Sequence, residues 1–78
     1  MNIFKIIKAG SNLLKNNNIT SHILDSEILL SKTLKKSREE ILTHLDKKIS
    51  KKDILVFENF LKRRSNNEPI AYILEEKE

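Results

Sequence analysis

The 78-residue sequence predicts an all-α fold, a single small bundle of four to five short helices with a C-terminal segment leading into an interdomain linker. Three observations point that way. Apolar residues recur at helical spacing in four separate stretches. One Gly and one Pro are too few for a turn-rich β fold. Cysteine is absent, so no disulfide or thiolate metal site can staple the chain, and stability must come from packed helices. A chain this short buries only about 60–65% of the surface it exposes when unfolded, so the core is modest.

Asn2 to Lys15 reads as the first helix, with Ile3, Ile7 and Leu14 on one stripe and Phe4, Ile6 and Leu13 beside it. Gly10 falls on the same stripe. A mid-helix Gly costs about 1 kcal/mol against Ala, so it either lets another helix approach closely or is drift. Asn16, Asn17 and Asn18 end the helix, because Asn tolerates the left-handed conformation of a C-terminal cap.

The stretch from Ile19 to Leu34 is the most apolar helical segment and is assigned to the centre of the bundle. Thr20 is the expected cap, Ile19 and Leu24 a hydrophobic staple, and Asp25 a favourable charge near the first turn. Ile23, Leu24, Ile28, Leu30 and Leu34 form a broad apolar arc, widened by Leu29, that should touch neighbours on more than one side.

Ser37-Arg38-Glu39-Glu40 spells a capping box ahead of Ile41, Leu42 and Leu45, a short third helix. Ser50 opens a fourth, with Ile49 and Ile54 at staple spacing and Ile54, Val56, Phe57, Phe60 and Leu61 as its apolar face. It ends near Ser65-Asn66-Asn67. After Pro69 the short run from Ile70 to Leu74 fits one helical turn or a strand. The polar end from Glu75 to Glu78 carries no stop signal, so the chain is expected to continue. The domain boundaries expected are 1–67 for the bundle and 68–78 for the start of a linker to an absent catalytic domain.

The net charge is +4 and the pI about 9.5. All but three of the 15 cations are Lys, and Ile and Asn are abundant, the composition of an AT-rich genome. The acids are spread through the chain, so charge alone is weak support for a nucleic-acid surface. No apolar run approaches the ~18 residues that span a bilayer, and no signal-peptide pattern opens the chain. A cytoplasmic monomer is expected.

Little in the sequence carries chemistry. No Gly-rich phosphate loop or Walker pattern occurs. His22 and His44 lack ligand spacing and read as surface or cap residues. Two charges sit within apolar faces: Glu27 between Ile23 and Leu30, and Arg64 one turn after Leu61. A buried charge is paired or costly. Glu27 therefore either pairs with an arginine, Arg64 first and Arg38 or Arg63 as alternatives, or both side chains reach water along their stems. Lys62 and Arg63 close the fourth helix as a small basic cluster. They are candidate contacts to an acidic partner, though cations at a helix C-terminus need none.

Leu24-Asp25-Ser26-Glu27-Ile28-Leu29-Leu30 resembles the L-D-A-E-x-L-L signature of the HemK/PrmC family of release-factor glutamine methyltransferases. The run from Arg63 to Ile73 resembles that family's R-R-x-x-G-E-P-x-A-Y-I, with Asn67 in place of the Gly. Leu74 and Glu75 depart from its following T-G, and Glu78 matches the next Glu. The resemblance covers nearly the whole chain. It implies the helical N-terminal domain of an enzyme that methylates the glutamine of the Gly-Gly-Gln motif in class-I peptide release factors. The S-adenosylmethionine motif and N-P-P-Y motif of the family are not in these residues. The resemblance therefore implies no catalytic, cofactor or metal residue here, a role in docking the release factor, and the chain's own catalytic domain as second partner. A free-standing basic helical module binding nucleic acid or another protein is the alternative. A piece severed from its neighbour should leave the run from Glu68 to Leu74 poorly packed and the acidic end disordered.

Overall fold

The structure, a computed structural model, describes residues 1–75, and among these every regular element is a helix. The order is α1 (Ile3–Asn16), α2 (His22–Leu34), α3 (Arg38–Leu42), α4 (Lys51–Ser65) and α5 (Ile70–Leu74). Helix α2 packs against α1, α3, α4 and α5, and α1 also packs on α4. The core joins Ile3, Ile6 and Leu14 of α1, Leu29 and Leu30 of α2, Ile41 of α3, Phe57, Phe60 and Leu61 of α4, and Ile73 of α5.

Polar caps set the helix starts. Asn2 accepts the Lys5 amide at 2.8 Å and Ser50 the Asp53 amide at 3.1 Å. Ser37 and Glu40 form the reciprocal capping box at the start of α3. The first amides of α1 gain further acceptors from the loop after α3. Ile3 donates to the Lys47 carbonyl and Phe4 to the Leu45 carbonyl, each at 2.9 Å. Helix α2 departs from the expected start. Its cap position is Ser21, one residue after Thr20, and no side chain closes it. The Ser21 hydroxyl donates instead to Asp25.

Three helices end on a left-handed residue without a glycine: Asn18 (φ 64°), Lys35 (φ 56°) and Asn67 (φ 66°). In each case the next amide reaches back over the last turn, from Ile19 to the Leu14 carbonyl, Lys36 to Ser31 and Glu68 to Arg63. Asn67 thus holds the left-handed position that a Gly would fill at no steric cost.

The only glycine is used for close approach. A Cβ on Gly10 would lie 2.6 Å from the Ser26 hydroxyl and 2.8 Å from the Phe57 ring. Ser26 is fully buried and donates to the Ile7 carbonyl at 2.8 Å. Gly10 and Ser26 are therefore the small pair that lets α1, α2 and α4 meet.

Two expectations are corrected. The buried face of α2 is Asp25, Ser26, Leu29, Leu30 and Thr33, whereas Ile23 and Leu24 are 60% and 44% exposed. The helix is rotated from the purely apolar arc because Asp25, Ser26 and Thr33 each find an internal partner. The run from Glu68 to Leu74 is packed, not loose: Ile73 is fully buried between α2 and α4. Core packing thus extends beyond residue 67. The expected disorder of the acidic end falls on residues 76–78, which lie outside the described residues. No described helix is long and apolar enough to cross a membrane.

Candidate docking surfaces and the double-arginine clamp

The two arginines that close α4 are both engaged by groups of the same chain. Arg64 donates from Nε to the Asp25 carboxylate at 2.9 Å and from Nη1 to the Glu68 carbonyl at 3.2 Å. The Asp25 side chain is 4% exposed and that of Arg64 18%. Ser21 adds a second donor to the same carboxylate oxygen at 2.8 Å. A buried carboxylate with a guanidinium and a hydroxyl has its charge compensated.

Arg63 forms a two-point pair with Glu68, with Nε to Oε2 at 2.9 Å. That hydrogen bond, and the charge behind it, hold the Glu68 carboxyl below the usual carboxylate range and raise Arg63 above its own. Between them the two arginines tie the segment after α4 to α2 and to the end of α4, and so fix the direction in which α5 leaves.

The expected Glu27–Arg64 pair is therefore corrected. Glu27 accepts from Arg38, the alternative partner, at 2.7 Å from Nη2 and 3.2 Å from Nε. Asp25 and Glu27 lie on opposite sides of α2, and only the Asp25 side meets the end of α4. Reading Asp25 as a first-turn charge hid it. Its spacing from Leu29 and Thr33, one turn apart each, is the signal that placed it on the buried face.

Of the expected partner contacts, Lys62 is exposed and Arg63 is held by Glu68. His44 caps α3, with Nδ1 2.8 Å from the Glu40 carbonyl. His22 shares a hydrogen bond of 2.7 Å with Ser11, joining the start of α2 to α1. Among the described residues no cluster of His, Cys, Asp and Glu could hold a metal ion.

A different surface stands out. A groove of about 450 Å³ runs between α1, α2 and the end of α3. Phe4, Ile7, Lys8 and Lys15 of α1 form one wall, Ile23 and Glu27 of α2 the other, and Leu42 and Leu45 close it. Phe4, Ile23 and Leu42 are 52%, 60% and 40% exposed. Large apolar side chains from three helices thus converge on one concave surface. The spacing places Ile23 on the apolar arc of α2 and Phe4 beside the stripe of α1, and periodicity does not distinguish an inner apolar face from an outer one.

The PrmC N-terminal domain family matches residues 5–74 of the chain. The chain is 39% identical over 72 residues to the release factor glutamine methyltransferase of Vibrio cholerae, covering 92% of itself and 25% of that protein. It is 40% identical over 73 residues to the corresponding enzyme of Haemophilus influenzae, covering 94% of itself and 25% of that protein. It is 37% identical over 76 residues to a bifunctional methyltransferase of Rickettsia felis, covering 97% of itself and 14% of that protein. It thus spans a quarter or less of these three relatives. No solved structure matches significantly.

Proposed function

Since the chain belongs to the PrmC N-terminal domain family, we propose that it is the non-catalytic recognition domain of a release factor glutamine methyltransferase, and that it docks the class-I release factor whose Gly-Gly-Gln glutamine the whole enzyme methylates. The observation that carries this reading is the extent of the match. It runs almost from end to end of this chain and over a minor share of each methyltransferase.

In this reading S-adenosylmethionine belongs to the part of the relatives that lies beyond this domain. The single glycine, Gly10, is enclosed by Ser26 and Phe57 within the bundle, so it cannot form a phosphate or nucleoside cradle. The reaction is methyl transfer to the glutamine side-chain amide, and no step of it is assigned to these residues.

The physical role is orientation. An enzyme that modifies one glutamine of a large protein gains specificity from contacts remote from the reacting atoms. Binding energy there holds the target amide in place. The clamp of Arg63 and Arg64 on Glu68 and Asp25 supports this role, because a docking domain orients its cargo only if its own link to the neighbouring domain leaves in a fixed direction. We place the protein in the cytoplasm as a monomer, with Lys62 as a peripheral contact.

Isothermal titration of the chain with a class-I release factor, beside an RNA duplex of similar length and charge, tests the reading. Saturable release-factor binding, with duplex binding that vanishes at raised salt, is expected. Salt-resistant duplex binding without release-factor binding would overturn it and favour a nucleic-acid module.

A further inference from the structure

We infer that the groove between α1, α2 and the end of α3 is the docking site itself, and that its occupant is an acidic amphipathic segment on the surface of the release factor; this rests on the docking role proposed above.

Three features of the groove specify that occupant. Phe4, Ile23 and Leu42 together offer an apolar surface that an apolar ridge would match and a nucleic-acid backbone would not. Lys8 and Lys15 stand on the α1 wall and form no ion pair among the described residues, with Lys8 5.9 Å from the centre of the Phe4 ring. The groove's one acid, Glu27, is already neutralised by Arg38. The uncompensated charge is positive, so the complement is a segment presenting two or three apolar side chains flanked by Asp or Glu.

A second copy of this chain is a poor fit. The chain carries a net charge of +4, and an isologous contact through the groove would bring two faces of the same positive sign together. The end of α4 is a poorer candidate, because both its arginines are held within the chain.

The test measures affinity for a class-I release factor with four variants. Ile23→Ser and Leu42→Ser remove exposed side chains, so the fold should persist, checked by an unchanged melting temperature. Each is expected to weaken binding about tenfold or more, the effect of losing a central contact. The double variant Lys8→Glu and Lys15→Glu reverses the wall charge. It should weaken binding strongly at low salt and less as salt rises. Leu55→Ser removes a side chain 67% exposed on α4, outside the groove, and should leave affinity unchanged. Wild-type affinity in both Ser variants would overturn the groove assignment while leaving release-factor docking intact. Absence of binding by the unaltered chain would overturn the docking role and this inference with it. A concentration-dependent dimer that Ile23→Ser abolishes would assign the groove to self-association and overturn the inference.

Discussion

Asp25 and Arg64, 39 residues apart, meet at 2.9 Å where the first turn of α2 passes the last turn of α4. This pair joins the central helix to the point where the chain leaves the bundle, since Arg64 also holds the Glu68 carbonyl. Removing one partner leaves a buried charge uncompensated. Arg64→Gln and Asp25→Asn should each lower stability by about 3 kcal/mol in urea unfolding. The double variant should cost less than their sum, since the two act on one interaction. The Arg38–Glu27 pair, with Arg38 45% exposed, sets the contrast: Arg38→Gln should cost under about 1 kcal/mol.

Gly10→Ala opposes two effects. Helix propensity favours Ala by about 1 kcal/mol. The added methyl would enter the space held by the Ser26 hydroxyl and the buried Phe57 ring. Rotating Ser26 away breaks its bond to the Ile7 carbonyl. Overpacking should win, with a net loss of about 1–2 kcal/mol. Adding Ser26→Ala should recover part of that loss in thermal melts.

The Arg63–Glu68 pair sets an acid limit. The folded protein holds the Glu68 carboxyl below its unfolded value, so this pair stabilises the fold above the ordinary carboxylate range. That contribution fades as pH falls through the lowered folded value. Stability measured from pH 7 down should therefore decline below about pH 4.5. Glu68→Gln should remove its share of that slope, seen as a smaller difference between the two pH limits. An unchanged slope in the variant would dissociate Glu68 from the acid response.

The capping box isolates a local term. Ser37→Ala leaves the Glu40 amide without its acceptor at 3.1 Å and should cost about 1 kcal/mol. The loss should appear as fraying of α3, by faster amide exchange from Glu39 to Ile41, with α4 exchange unchanged.

The sequence made legible the elements marked by local chemistry. Ser37 with Glu40, Ser50, and the Asn residues at 18 and 67 announce helix ends because capping is decided within a few residues. Leu30, Phe57, Phe60 and Leu61 announce the core by spacing. The face of α2 was not legible, because it is settled by partners distant in the chain: Asp25 turns inward to meet Arg64, and Ser26 to meet the Ile7 carbonyl. Turning them inward leaves Ile23 outside, and so creates one wall of the groove. Residues 70–74 were equally ambiguous, since a five-residue apolar run has no period, and the burial of Ile73 against α2 and α4 selects the helical turn. The family resemblance was legible in the Arg63–Ile73 run, but its structural use was not. Arg63 reads as part of a basic cluster until Glu68 is seen to hold it, and Arg64 as a partner of Glu27 until Asp25 is seen to take it.

The most direct test of the account is amide shift mapping on the labelled chain during titration with a class-I release factor. If the groove docks the release factor, changes concentrate at Phe4 to Lys8, at His22 and Ile23, and at Leu42, with the outer face of α4 around Leu55 quiet. Changes centred on α4 with the groove silent would contradict it.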